Sequence, residues 1–363
     1  MTDNEKLLES ADRWGRLDNV DISNLDLKDA MALLHGPLKD FPKDDAAHQA
    51  DIHGWTDTVV WPSADKLPKF FYPQKLLEFN KKPKLINDIR AAGLTGKGMA
   101  IAIIDQNLKL DHPEYSDRVK FYERINKWPD NDGNYHGSLV AGIAVGKTTG
   151  VAPDADLYYI SSDNKGAESR VKAIKRIIEI NKGLAESEKI RFLSGSFGFG
   201  TAKEDREQFA EACKAAEQSG IMILMCGDDR FEKIVSKFNP ALSDMGAAAR
   251  GLGNFGRLVA DGKVAIPTDG KTNPYCKGGY LYERLGGFSS TPPYLAGLYA
   301  CILQNNKIFM TQENWQDKLR DILTATATTT KDGAKIINPG GILQAVNEIS
   351  RSLLFKGKQT QNS

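Results

Sequence analysis

The stretch Gly287-Phe288-Ser289-Ser290-Thr291-Pro292-Pro293 leads into Tyr294-Leu295-Ala296-Gly297-Leu298-Tyr299-Ala300-Cys301-Ile302-Leu303, a run with no polar face. Paired prolines fit the first turn of a helix, where no backbone N–H partner is lost. A helix apolar all round is a buried one. A serine hydroxyl therefore stands at the mouth of a buried helix, near the positive end of its dipole, which suits a nucleophile. The same residues also suit a Ser/Thr cap on a core helix, the commoner role. A hydroxyl nucleophile at neutral pH needs an adjacent base. Two polar residues stand where partners would come from. Asp105 ends the apolar run Met99-Ala100-Ile101-Ala102-Ile103-Ile104, a buried strand by its pattern. Functional groups gather at the carboxyl ends of strands in an α/β sheet. His136 opens His136-Gly137-Ser138-Leu139-Val140-Ala141-Gly142, whose small residues let a helix run close under a sheet.

The elements around these residues follow a regular order. Leu85 to Gly93 reads as a helix stopped by Gly93. From Leu157 the chain alternates: strand 157–160, amphipathic helix 168–182 with Val171, Ile174, Ile177 and Ile178 on one face, strand 190–194, helix 203–219, strand 221–225. Such alternation signals parallel βαβ units and an α/β class. Residues 1 to about 75 are polar and carry several prolines, with one short amphipathic helix expected over 21–34. Trp55, Trp61, Phe70, Phe71 and Tyr72 suggest that the later part of this extension packs onto the rest. The organisation expected is an N-terminal extension over 1–78, wrapped round the core or occupying the site as a propeptide, a main domain over 79–352 and a polar tail over 353–363.

Composition narrows the classes. A chain of 363 residues, 41% hydrophobic, buries one large core plus a modest extension. Lys+Arg 48 against Asp+Glu 47 leaves a formal charge of +1, so neither a nucleic acid nor an anionic membrane is an implied partner. Cys213, Cys226, Cys276 and Cys301 lie far apart in or near apolar runs, which favours free thiols over disulfides. The N-terminal residues lack a signal-peptide pattern, and the apolar runs near 221–226 and 294–303 are too short to span a bilayer. A soluble, cytoplasmic protein is expected. Gly142-Ile143-Ala144-Val145-Gly146-Lys147-Thr148 approaches a phosphate-binding loop but has three residues between its glycines where four are needed. Asp130-Asn131-Asp132-Gly133 lacks the alternation and terminal glutamate of a calcium loop. No cofactor is expected, and a structural calcium has no clear motif behind it.

Taken together, these segments resemble the subtilisin-like serine proteases (subtilases). Gly287-Phe288-Ser289-Ser290-Thr291-Pro292-Pro293-Tyr294-Leu295-Ala296-Gly297 resembles the family's GTSMATPHVAG, departing at Phe288, Ser290, Thr291, Pro292, Tyr294 and Leu295. Asp105-Gln106-Asn107-Leu108-Lys109-Leu110-Asp111-His112-Pro113-Glu114 resembles the family's aspartate segment, with Gln106 for Thr/Ser and Asn107 for a Gly whose tight turn Asn can supply at positive φ. His136-Gly137-Ser138-Leu139-Val140-Ala141-Gly142 resembles His-Gly-Thr-x-Val-Ala-Gly, and Gly150-Val151-Ala152-Pro153-Asp154-Ala155 the turn that follows it. Val264-Ala265-Ile266-Pro267 and Phe238-Asn239-Pro240-Ala241 resemble later family turns, and 319–326 and 337–346 its closing helices.

The resemblance implies a three-layer α/β/α fold with a mostly parallel central sheet. It implies a catalytic triad of Asp105, His136 and Ser289 that hydrolyses polypeptides through an acyl-enzyme. Ser196, Phe197 and Gly198 match a Ser-Leu-Gly segment that binds substrate. Met225-Cys226-Gly227-Asp228 matches Ala-Ala-Gly-Asn, which puts Gly227 beside the substrate and Asp228 at the oxyanion position. An ionised carboxylate there repels the oxyanion. Slow turnover, a protonated Asp228 that donates, and a peptide-binding protein with weak or no catalysis are the three consequences open at this point.

Overall fold

The computed structural model describes residues 1–30, 33, 52–69, 71–125, 135–162, 167–197, 203–226, 231–233, 235–236, 255–257, 263–284, 286–329 and 335–361. Its centre is a five-stranded sheet: β1 Ala100–Asp105, β2 Val119–Arg124, β3 Asp156–Ser161, β4 Ile190–Gly195 and β5 Met222–Met225. The order is β2-β3-β1-β4-β5 and every pairing is parallel. Helices supply the crossovers: α1 Tyr135–Val145, α2 Ala167–Gly183 and α3 Lys203–Gln218, followed by α4 Thr291–Leu303, α5 Trp315–Thr326 and α6 Pro339–Gln361.

The two-residue period of β1 builds both outer layers. Ile101 and Ile103 enter one apolar cluster with Val140 of α1, Leu298 and Ile302 of α4, Leu319 of α5 and Val346 of α6. Ala102 and Ile104 enter a second with Ile174 and Ile177 of α2 and Phe209 and Ala216 of α3. A strand buried on both faces between helices is what a continuous apolar run demands, and the result is the expected three-layer α/β/α arrangement. Four of the five strands match their expected positions to within about a residue; the edge strand β2, Val119–Arg124, was not expected.

A second, four-stranded sheet joins the extension to the main domain. Arg16–Leu17 runs parallel to Gly54–Thr56, which pairs antiparallel with Tyr280–Glu283, itself antiparallel to Lys271–Pro274. Trp55 is fully buried at its heart, with ring centroids of Tyr282, Phe71 and Trp61 at 4.5, 5.4 and 5.6 Å. Its indole N–H donates to the Pro73 carbonyl at 3.1 Å. Leu7, Leu17, Leu27, Ile52 and Leu76 close the cluster.

Three local expectations change. Residues 21–30 are not helical: Asp21 bridges Val60, and Ile22, Leu25, Leu27 and Ala30 are buried one at a time in the Trp55 cluster. The side chains of Asp21 and Asp26 accept from the backbone N–H of Ser23 and Lys28 at 3.0 and 3.3 Å, local bonds that compete with a helix. Val264–Ile266 is a strand rather than a turn, parallel to both Phe231–Lys233 and Lys335–Ile336. The polar tail continues α6 as far as Gln361. Phe238-Asn239-Pro240-Ala241 and Asp130-Asn131-Asp132-Gly133 lie outside the described residues.

Candidate active site

Asp105 is the last residue of β1, at the carboxyl edge of the sheet, and is buried. Its Oδ1 accepts from the Gln106 backbone N–H at 2.8 Å and lies 2.6 Å from His136 Nδ1. His136 is the second residue of α1, so the imidazole stands at a helix start beside that edge. The helix reaches this position because Gly137 has no side chain. A Cβ there would sit 2.5 Å from the Asn107 carbonyl oxygen and 2.8 Å from that of Gln106, closer than packed atoms tolerate. The His-Gly pair is thus a geometric requirement of bringing α1 under the loop that follows β1.

Burial works against the charged form of His136, but the Asp105 carboxylate, its hydrogen bond, and the charge of Glu283 outweigh it, and the net effect holds the imidazole above its ordinary range. An imidazole bound by a carboxylate through Nδ1 presents its other nitrogen as a base.

Ser289 lies in the 3-10 turn Phe288–Ser290 that runs directly into α4. Pro292 and Pro293 occupy the first turn of that helix, and all thirteen residues of α4 are buried, as the sequence requires. The turn packs against α1. The Ser289 carbonyl accepts from Ser196 Oγ at 2.7 Å, which ties the turn to the end of β4. Ser289 also hydrogen-bonds Cys226 at the end of β5. Burial, with the Asp105 charge behind it, pushes the Cys226 thiol up to about 12, and the Ser289 bond only partly opposes this. Three of the five parallel strands, β1, β4 and β5, and the two helices α1 and α4 therefore contribute to one cluster. Asp105, His136, Cys226, Ser196 and Ser289 all stand at the carboxyl edge, where ligands of open α/β sheets bind.

Phe197 belongs to the core. Its ring packs 6.0 Å from Phe209 in the cluster under α2 and α3, which leaves its backbone, rather than its ring, to line a surface. Gly198, Gly227 and Asp228 lie outside the described residues. Asn107 corrects an expectation: the described non-glycine residues at positive φ are Asn19, Leu85 and Asn314. Asn107 instead accepts from Ser161 Oγ at 2.5 Å, so its amide, not turn geometry, explains its place between β1 and β3.

Two features had little sequence signal. Cys226 was legible only as part of a matched segment, and its bond to Ser289 had no cue. Glu114 sat within the aspartate segment, yet its role emerges only in space. Its carboxylate accepts from the Thr148 and Thr149 backbone N–H groups at 2.7 and 3.2 Å and from the Tyr280 hydroxyl at 2.7 Å. Burial opposes ionisation, but the Thr148 and Tyr280 bonds hold the carboxyl below its usual range. Among the described residues, no group of three or more His, Cys, Asp or Glu side chains is placed to hold a metal ion, and no helix is long and apolar enough to cross a membrane.

A parallel α/β sheet whose carboxyl edge gathers an Asp–His pair and a serine turn defines a subtilisin-like class. Residues 96–244 match the model of the subtilase family, a span that includes Asp105 and His136. It is 29% identical over 225 residues to a cuticle-degrading protease of Metarhizium anisopliae, covering 56% of this chain and 53% of that protein. It is 26% identical over 303 residues to an intracellular serine protease of Paenibacillus polymyxa, covering 76% of this chain and 89% of that protein. The chain thus spans about half the length of some curated relatives and most of others. Among solved structures, the nisin leader peptidase NisP of Lactococcus lactis aligns with a TM-score of 0.53 at 15% identity over 74% of this chain and 94% of that chain. A mutant of the protease domain of PatA aligns with a TM-score of 0.52 at 17% identity over 70% of this chain and 98% of that chain. These two likenesses concern the fold.

Proposed function

We propose that the protein is a serine endopeptidase in which Ser289 attacks a peptide carbonyl, His136 takes the hydroxyl proton and returns it to the leaving amine, and Asp105 orients the imidazole. The observation that carries this reading is the 2.6 Å contact between Asp105 Oδ1 and His136 Nδ1 at the strand edge, on the helix against which the Ser289 turn packs. A serine hydroxyl becomes a competent nucleophile beside such a base, and the carboxylate stabilises the imidazolium as it forms. The Ser289 backbone N–H, at the start of α4, points to one oxyanion donor, with the helix dipole behind it. The relatives named as serine proteases support the same assignment. The substrate is a polypeptide, met at the ends of β4 and β5 by Ser196 and Phe197 and, by the resemblance alone, by Gly198 and Gly227, and the protein acts in the cytoplasm.

Asp228 replaces the oxyanion amide of the family pattern. Loss of such a donor lowers turnover by about 10²–10³, a value measured on a subtilisin, so a slow enzyme is expected unless Asp228 donates as the acid. The test is labelling with a fluorophosphonate probe across a broad pH range. Labelling of the wild type that disappears in Ser289→Ala and His136→Ala supports the peptidase. A folded wild type that never labels and never cleaves peptides, yet binds them, replaces it with a peptide-binding module. If a protonated Asp228 donates, Asp228→Asn abolishes the fall in rate at high pH, and a slower mutant removes that account.

A further inference from the structure

The residue before the histidine belongs to a second constellation. The Tyr135 hydroxyl donates to Glu283 Oε2. The other oxygen of Glu283 accepts from Arg16 Nη2 at 2.8 Å, and the Arg16 guanidinium carbon lies 4.3 Å from the centre of the Tyr135 ring. Ring, carboxylate and guanidinium therefore close a triangle. The pair is sheltered: the Arg16 and Glu283 side chains are 22% and 12% exposed. The corners come from the extension, from the first residue of α1 and from the strand Tyr280–Glu283, separated by more than a hundred residues at each step.

Strand register explains how they meet. Arg16 pairs with Gly54, and Gly54 pairs with Glu283. All three share one face of the second sheet, with Gly54 in the middle. A Cβ on Gly54 would sit 2.5 Å from the Tyr282 carbonyl oxygen and 3.4 Å from Glu283 Cγ. The absent side chain leaves Arg16 a path across the middle strand to the carboxylate.

We propose that Arg16 is a positioning residue for His136, acting through Tyr135 and Glu283, so that the N-terminal extension completes the surroundings of the catalytic histidine. Resting on the assignment of His136 as the base, this makes the extension a working part of the enzyme. Tyr135 and His136 are consecutive in α1, so a phenol held on both its ring face and its hydroxyl fixes the first turn that carries the imidazole. Electrostatics gives the arrangement a signature. His136 faces two carboxylates, Asp105 from β1 and Glu283 from the second sheet, and both favour its protonated form. Arg16 holds the other oxygen of Glu283, and Asp12, whose Oδ1 accepts from the Arg16 backbone N–H at 3.0 Å, adds a second carboxylate beside it. Further charged and titratable neighbours among the described residues include Tyr275, 6.4 Å from the Tyr135 ring, and Asp18, which binds the Tyr275 hydroxyl at 3.2 Å and Lys277 Nζ at 2.5 Å. Cys226 faces Asp105.

Removing either member of the Arg16–Glu283 pair therefore moves His136 in opposite directions, which a purely structural role does not produce. The experiment is a histidine-selective NMR titration of the full chain carrying Ser289→Ala, with His136 assigned by its absence in His136→Gln. Glu283→Gln lowers the His136 titration midpoint by about half a unit or more, and Arg16→Gln raises it by a similar amount because Glu283 is left uncompensated. Arg16→Lys, which keeps the charge, stays near wild type. Midpoints that do not move, or that move the same way in folded Glu283→Gln and Arg16→Gln, overturn the inference. If Arg16→Gln fails to fold, Glu283→Gln and Arg16→Lys still decide it. The readout is independent of turnover: opposite shifts in a protein that labels with no serine probe sink the peptidase reading and keep only the coupling of Arg16 and Glu283 to His136, without its catalytic meaning. Normal labelling with unmoved midpoints does the reverse.

Discussion

The two sheets stabilise themselves by opposite means. The five-stranded sheet is held by aliphatic contacts on both faces, with Ile101 and Ile103 on one side and Ala102 and Ile104 on the other. The four-stranded sheet is built round one tryptophan and its aromatic neighbours, and its guanidinium groups lie over rings: Arg284 5.5 Å from Trp55 within it, and Arg16 4.3 Å from Tyr135 of α1. Aliphatic packing resists displacement and fixes positions. A rim of aromatics and charges is adjustable, and its field reaches its neighbours. His136 stands between them, oriented by the first and tuned by the second. Precision and tuning are thus supplied from different parts of the chain.

The largest expected effect breaks the catalytic side alone. Ser289→Ala, His136→Ala or Asp105→Asn lowers peptide hydrolysis by about 10³–10⁴-fold or more, while melting temperature changes little for the serine variant. Equal loss of activity and stability in Ser289→Ala would place Ser289 in the fold rather than in the chemistry. Trp55→Ala attacks the second sheet. It is expected to cost about 3–5 kcal/mol in denaturant unfolding and to lower activity with it, because Glu283 and Arg16 lose their platform.

Glu114→Gln ranks next. Gln cannot accept from all the donors gathered there, and stability falls by about 2–3 kcal/mol. The folded carboxyl sits below its usual range, so its contribution is present above the unfolded carboxylate value and is lost as pH falls through the folded one. Acid unfolding monitored by circular dichroism therefore shows a smaller mutant-to-wild-type gap at low pH than at neutral pH.

Lys271→Met goes the other way. Burial, and then the Lys84 charge, pushes the Lys271 amine down to about 7 against the pull of Asp269. The unfolded chain holds this proton up to the ordinary lysine range, so wild-type stability rises with pH from about 7 upward. The methionine variant is stabilised by about 1–2 kcal/mol near pH 6, and its advantage over wild type fades as pH rises toward 10; a gain independent of pH removes the charge explanation. The smallest effect is in the pH profile. Because Asp105 and Glu283 hold His136 above its ordinary range against burial, kcat/KM rises with pH through a midpoint higher than that of an unperturbed histidine. A midpoint at or below the ordinary value contradicts the geometry at Asp105.

The sequence exposed the half of the molecule whose elements carry their own periodicity. The apolar run ending at Asp105 reads as a buried strand, and the two prolines before Tyr294 fit the first turn of a helix. The motifs around His136 and Ser289 supplied the rest of the candidate site. The other half was hidden because its contacts are few and long-range. Ile22 and Leu25, and Leu27 and Ala30, stand three apart as a helix would space them, yet they are buried singly by the Trp55 cluster. Asn107 looked like a turn residue because its hydrogen bond to Ser161 depends on a strand pairing that local sequence does not contain. Arg16 was one basic residue among forty-eight, and nothing beside it in the sequence points to Glu283.

The second sheet also sets a clock. Its strand pairs join residues 54–56 to residues 281–283, and the Arg16–Glu283 ion pair spans farther still, among the most distant contacts in the chain. Such pairings form slowly, because loop closure must be met before they return any stability. During synthesis the segment around Arg16 leaves the ribosome long before Glu283 exists. A nascent chain can assemble β1, β3 and α1 while the far flank of His136 is still empty, so the histidine acquires its final surroundings only as translation nears the serine itself.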